Sequence, residues 1–296
     1  MKKWLISLVI LLLLGFGFAK LKVATLEEWH RELTAPQEQN HQMQEPETIS
    51  GEPGLTIEVT KSMIFEGDLL LVNKDHRVPE GLHPEAEAVS LVQQADLIDG
   101  FGVLDNSILL SPRLVEQFTL MVKAAEKDGV HQFLISSGYR DESKQEELYR
   151  EMGSKRALPA GYSEHNLGLS LDIGSSQGEM SEAPEGLWLK KHAWKYGFIL
   201  RYPEDKTAIT GIRFEPWHFR YVGLPHSAIM QEEGLVFEQY LDELKIRKSM
   251  RARVDGQDYR VFYYPVSKDQ VIHVPAQGTY SITGNNMDGI IVTVAE

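Results

Sequence analysis

The sequence predicts a chain of mixed helices and strands closed by a small all-β appendage, and three observations carry that reading. Capped, amphipathic helix patterns are interspersed with short apolar strand patterns between about Leu55 and Ile246. From Arg251 onward the helical period gives way to short strands separated by turn residues. The 296 residues are 42% apolar and 25% charged, an ordinary globular composition with ample material for a full core.

The chain opens with Met1-Lys2-Lys3, followed by an uncharged, mainly apolar run from Trp4 to Ala19. A basic flank ahead of an apolar stretch is the pattern of an export signal, and about 17–25 apolar residues span a bilayer. Residues 1–24 are therefore expected to be a signal-anchor, or a signal peptide cleaved near Gly17-Phe18-Ala19. Lysines on the leading side send the remainder outward. The expectation is an extracytoplasmic protein anchored to the membrane by this segment, or secreted if the segment is cut. Residues 25–54 read as an acidic linker, because Leu26 to Gly54 holds seven glutamates against one arginine and little aliphatic clustering.

The folded part is expected over 55–248, with the small β domain at 249–296. Leu55–Val59 and Leu69–Val72 are apolar runs that read as strands. Ser111-Pro112 caps a helix whose face is Leu114, Phe118, Met121, Val122 and Ala125, stopped by Gly129. Phe133-Leu134-Ile135 reads as a buried strand, and Asp141 caps a helix that runs to about Met152. Trp188 to Tyr196 reads as a helix stopped by Gly197, and Phe198–Leu200 and Ile212–Phe214 as strands. Pro225 to Ile246 is helical with a break near Gly234. Asp255-Gly256 is then a hairpin turn in the β appendage, with strands at Tyr259–Tyr264, Val271–Val274, Tyr280–Ile282 and Ile290–Val294.

A net charge of −13 argues against a nucleic-acid partner, which would demand a basic face. The absence of cysteine excludes a disulfide framework, a lipidated cysteine and any thiolate metal site. Any metal must then be held by histidine and carboxylate.

Such a set exists. His165 and Asp172 are seven apart with Gly168 between them, and Glu215-Pro216-Trp217-His218 follows. His165, Asp172 and His218 could hold one zinc ion with a coordination position left open, and Glu215 could serve as general base. In Leu169-Ser170-Leu171-Asp172-Ile173 the alternation puts Asp172 on the polar side of an otherwise apolar strand. In a regular strand Glu215 and His218 would face opposite ways, but Pro216 cannot join a ladder, and a turn there brings both to one side. Arg140 closes an apolar strand, with Gln145 on the next helix; an arginine fork binds a carboxylate or stabilises an oxyanion. Each feature also has a plain reading: a surface histidine, a charged turn, a capping arginine. The other eight of the ten histidines lack partners at ligand spacing. There is no Ser-x-x-Lys, His-Glu-x-x-His or Gly-x-Ser-x-Gly, which disfavours penicillin-binding-type peptidases, zincins and serine hydrolases of the elbow type.

The run Ser163-Glu164-His165-Asn166-Leu167-Gly168-Leu169-Ser170-Leu171-Asp172 and the Glu-Pro-Trp-His segment resemble the two motifs of the VanY-type zinc D-alanyl-D-alanine carboxypeptidases. Ser137-Gly138-Tyr139-Arg140-Asp141 and the stretch from Trp194 to Pro203 are similar as well. The resemblance covers about Leu69 to Val222. It implies an α+β fold, a central antiparallel sheet with flanking helices carrying one zinc per chain on His165, Asp172 and His218. It implies Glu215 as the catalytic base, and Arg140, Gln145 and Ser163 in contact with substrate. The implied activity is removal of the terminal D-Ala, or D-lactate, from peptidoglycan stem peptides ending in D-Ala-D-Ala, with a role in glycopeptide resistance. An L,D-carboxypeptidase or a D,D-dipeptidase with the same site, or a cell-wall-binding module whose zinc is structural, stand as alternatives.

Overall fold

The computed structural model describes residues 54–154 and 157–296. The expected anchor at 1–24 and the linker at 25–54, Gly54 apart, lie outside these residues. Among the described residues no helix is long and apolar enough to cross a membrane.

The chain enters through β1 (Gly54–Val59) and passes β2 (Val89–Ser90), β3 (Phe101–Val103) and β4 (Leu109–Leu110). Then come α1 (Pro112–Lys127), β5 (Phe133–Ser137), α2 (Glu142–Met152) and the single-turn α3 (Glu164–Leu167). β6 (Ser170–Ser175), α4 (Pro184–His192), β7 (Phe198–Leu200), α5 (Thr207–Thr210) and β8 (His218–Tyr221) complete the central layer. α6 (His226–Glu233) and α7 (Phe237–Arg247) lead to β9 (Ser249–Val254), β10 (Gln257–Pro265), β11 (Gln270–Pro275), β12 (Thr279–Gly284) and β13 (Gly289–Ala295).

The central sheet has the order β3-β5-β6-β8-β7. It is antiparallel except at one edge, where β3 runs parallel to β5. The expected capping forms α1: Ser111 Oγ accepts from the Leu114 amide and Pro112 fills the first turn. Its face of Leu114, Phe118, Met121, Val122 and Ala125 packs with Phe133, Ile135, Leu171, Ile173 and Phe219 in one core cluster. Alternation along β6 and β8 therefore commits Leu171, Ile173 and Phe219 to that core and turns Asp172, His218 and Arg220 to the opposite face. The functional site is built on that second face.

The helix read from Trp188 begins earlier, at Pro184, and its last turn, Ala193–Tyr196, tightens to 3-10 geometry before Gly197. Two expected strands are not strands. Ile212–Phe214 is irregular, and the adjacent strand starts at His218. Leu69–Val72 joins no sheet either. It is an extended, buried crossing segment whose side chains alternate between two clusters, Leu69 and Leu71 in one and Leu70 and Val72 in the other. Side chains take the place of a ladder at two of its carbonyls: Arg220 Nη2 donates to Leu70 O, as it does to Asp68 O just before the segment, and Asn286 Nδ2 to Leu71 O.

The C-terminal strands form the sheet β12-β13-β10-β9, with the Asp255-Gly256 hairpin turn in place between β9 and β10. β13 is buried on both faces. Ile291 packs with Leu69, Val222, Phe237 and Tyr240, while Ile290, Val292 and Val294 pack with Val59, Ile272 and Val274 from the β1–β11 pair. The boundary expected at 248 thus runs through a continuous core, and residues 54–296 lie within one compact unit.

Candidate metal centre

Three elements converge on the face of the central sheet opposite the α1-packed core. Asp172 on β6 and His218 on β8 are direct partners across the antiparallel ladder. His165 comes from α3, whose amide end is capped by Ser163 Oγ, accepting from His165 N at 3.3 Å. Gly168 ends this turn in the left-handed region at φ 75°, where a side chain is disfavoured, and so directs the chain into β6. The turn expected at Pro216 is present: His218 N donates to Glu215 O at 3.2 Å, which brings both side chains to one side.

The donor atoms face one another. His218 Nδ1 is 3.0 Å from Asp172 Oδ1, and His165 Nε2 is 3.3 Å from both Asp172 Oδ1 and His218 Nδ1. The potential ligand atoms all lie within 4.8 Å of one another. His165 Nδ1 donates to Gly138 O at 2.7 Å, which leaves the lone pair on Nε2 turned inward. Gly138 is required there, since a Cβ would collide with Leu109 O. Two imidazoles and one carboxylate with inward lone pairs fit a zinc ion, and the donor set leaves room for a fourth ligand.

The electrostatics agree. Burial disfavours a charged His165, and the nearby Arg140 reinforces this, so its imidazole falls to about 4 and stays neutral as a ligand must. Burial opposes ionisation of Asp172, but the neighbouring histidines outweigh it and hold the carboxyl well below the usual range. Burial also opposes a charged His218, yet hydrogen bonds accepted by the Asp172 and Glu164 carboxylates raise it to about 9. The surroundings of His218 therefore favour positive charge, which a metal cation supplies. Glu215, with Oε2 4.0 Å from His218 Nδ1, is pushed up to about 7 by burial, the range suited to a general base.

A cavity of about 660 Å³ opens over this group and is lined by Arg140, Gln145, Ser163, Tyr202, Glu215 and Trp217, among others. Arg140 Nη2 is 3.8 Å from Asp172 Oδ2, and its buried Nε has no hydrogen-bond partner among the described residues. Gln145 Nε2 donates to Leu158 O at 2.7 Å, leaving a buried Oε1 without a partner among the described residues. Ser163, expected as a substrate contact, lines the cavity while its hydroxyl oxygen caps α3.

Sequence reasoning missed two neighbours of the site. The Tyr202 ring lies 4.9 Å from that of His218. Glu164, fully buried beside His165, reaches His218 Nε2 at 3.4 Å through Oε2. Burial opposes its ionisation, but Arg201 and Arg220 prevail and keep its carboxyl well below the ordinary range. The signal was partial: alternation puts Arg220 on the strand face of His218, and a buried arginine demands a buried carboxylate, but only contacts distant in sequence show that Glu164 is that partner.

The family model described as VanY, D-alanyl-D-alanine carboxypeptidase, matches residues 107–224. The chain is 48% identical to a D-alanyl-D-alanine carboxypeptidase of Enterococcus faecium over 99% of its own length and 96% of that protein's. In three dimensions it is similar to the vancomycin resistance D,D-dipeptidase VanXYg, crystallised with a D-Ala-D-Ala phosphinate analogue. There the TM-score is 0.69 at 30% identity, covering 82% of this chain and all of that one. It is also similar to a mutant of the D,D-pentapeptidase VanY from a VanB-type resistance cassette, in complex with Zn(II). That match has a TM-score of 0.50 at 31% identity over 60% of this chain and 99% of that one.

Proposed function

The chain belongs to the VanY family of D-alanyl-D-alanine carboxypeptidases, and from that premise we propose how its residues perform the reaction. It is a zinc-dependent D,D-carboxypeptidase that removes the terminal D-Ala from peptidoglycan stem peptides ending in D-Ala-D-Ala. Loss of that end removes what glycopeptide antibiotics bind, which places the enzyme in vancomycin resistance. The convergence of His165 Nε2, Asp172 Oδ1 and His218 Nδ1 beneath an open cavity carries the reading.

His165, Asp172 and His218 would hold the zinc. When bound, the ion supplies Lewis acidity toward the scissile carbonyl and acidifies water. Glu215, poised near neutrality, takes the proton from the attacking water and delivers it to the departing amine of D-Ala. Arg140 offers an unused donor at Nε, suited to the developing oxyanion or the terminal carboxylate; Gln145 offers an unused acceptor at Oε1, suited to a peptide N–H. Ser163 lines the same cavity and holds α3 in place for His165.

The enzyme acts outside the cytoplasm, tethered by the apolar segment Trp4 to Ala19, and the basic Met1-Lys2-Lys3 flank supports this. A second reading, cleavage of free D-Ala-D-Ala, is favoured by the fold similarity to a D,D-dipeptidase. Product analysis separates them. Incubation with a pentapeptide stem, the corresponding tetrapeptide and free D-Ala-D-Ala should release D-Ala chiefly from the pentapeptide. Preferred hydrolysis of the free dipeptide would favour the second reading, and attack on the tetrapeptide would indicate an L,D-carboxypeptidase.

A further inference from the structure

One turn of helix reaches both histidines of the metal centre. His165 points its Nε2 at the centre, while the adjacent Glu164 reaches across to the far side of the His218 ring. The two oxygens of Glu164 divide their partners. Oε1 accepts from Arg201 Nε at 2.8 Å and lies 3.0 Å from Arg220 Nη1, a charge contact without hydrogen-bond alignment. Oε2 meets only His218 Nε2 among the described residues.

Both arginines are fully buried and are themselves fixed. Arg201 forks onto Glu238 of α7 through Nη1 and Nη2, at 2.8 and 2.6 Å. Arg220 donates to the carbonyls of Asp68 and Leu70. Each guanidinium also lies over the Phe237 ring, at 5.7 and 5.2 Å. A carboxylate needed only to neutralise these charges could aim Oε2 anywhere; here it is directed at the imidazole.

We propose that Glu164 is a positioning residue for the metal centre: it accepts the Nε2–H of His218, so that Nδ1 carries the lone pair facing Asp172 and His165. The need is geometric. His218 Nδ1 also lies beside a carboxylate, that of Asp172, and a neutral ring with its proton on Nδ1 would present N–H to the ion. An acceptor fixed on the Nε2 side selects the productive tautomer and makes Nδ1 more basic. Arg201 and Arg220 hold that acceptor in place and thereby tie the centre to α7 and the crossing segment at 68–72. The inference rests on the reading of His218 as a zinc ligand.

The test uses zinc-loaded full-length protein with 15N-labelled histidine. In the wild type, the His218 ring should show a solvent-protected Nε2–H hydrogen-bonded to Glu164. The E164Q variant should show a displaced or rapidly exchanging Nε2–H, and a zinc Kd by chelator competition raised roughly 10–100-fold. A wild-type signal with zinc on Nε2 and the proton on Nδ1 overturns the inference, as does a folded E164Q with unchanged zinc affinity and an unchanged Nε2–H. If E164Q does not fold, the wild-type spectrum alone decides. A wild type that binds no zinc overturns the metal reading itself, and this inference with it.

Discussion

Asp172 and His218 stand directly opposite each other on neighbouring antiparallel strands, with His218 Nδ1 3.0 Å from Asp172 Oδ1. Two of the three donor groups are thereby set by strand register, and a one-residue slip would turn both away from the centre. His218→Ala should lose bound metal and activity together while the α1-packed core stays folded. Elemental analysis of the purified variant checks this, and full zinc occupancy would remove His218 from the ligand set.

Glu215 is placed to handle protons without being one of the three converging donors. Glu215→Ala should keep zinc at wild-type stoichiometry and lose turnover by roughly 10²–10⁴-fold, the usual contribution of a positioned acid–base group. Steady-state kinetics beside metal analysis reads both outcomes. An active Glu215→Ala enzyme would require another base.

Arg140 keeps a buried donor without a partner among the described residues at the cavity wall. Arg140→Lys retains charge but loses the planar fork, and kcat/KM should fall roughly 10²–10³-fold with zinc retained. A loss confined to kcat assigns Arg140 to the oxyanion, and one confined to KM assigns it to the terminal carboxylate. Unchanged kinetics would exclude both roles.

His226 lies between Tyr240 OH, 2.6 Å from Nδ1, and Thr293 Oγ1, 3.1 Å from Nε2, and joins α6 to β13. Burial pulls its imidazole from 6.5 down to about 4. Because the folded value is depressed, the stability from keeping it neutral is complete above about 6.5, declines as the pH falls, and is lost below about 4. The gap is worth about 3 kcal/mol. Chemical denaturation from pH 7 to 4 should show the wild type losing more stability than His226→Gln across that window, and parallel curves would contradict it.

Ile291 sits at the junction of the C-terminal sheet with α6 and α7 and is fully buried. Ile291→Ala should cost about 2–5 kcal/mol, read as a fall in Tm. Truncation after Lys248 should uncover Phe237, Tyr240 and Leu244 and yield insoluble or molten protein. A soluble, cooperatively folding 55–248 fragment would restore the boundary read from the sequence.

The centre was legible because its chemistry is local. His165 and Asp172 share one short motif, Glu215 and His218 another, and Pro216 signalled the turn that reconciles the second pair. What escaped depends on contacts distant in sequence. Leu69–Val72 has a strand's composition, but in place of a ladder the side chains of Arg220 and Asn286 donate to two of its carbonyls. The β13 run Gly289–Ala295 is apolar because it is covered on both faces, and only the fold shows that one cover is α7. Glu164 beside a histidine reads as a solvated acid until Arg201 and Arg220 are seen around it.

The most direct measurement is D-Ala release from L-Ala-γ-D-Glu-L-Lys-D-Ala-D-Ala by the purified protein, before chelation, after it, and after zinc is returned. The account predicts tetrapeptide plus D-Ala, loss of release in chelator, and recovery with one zinc per chain. Release that persists in metal-free protein, or none from protein holding one zinc, would contradict it.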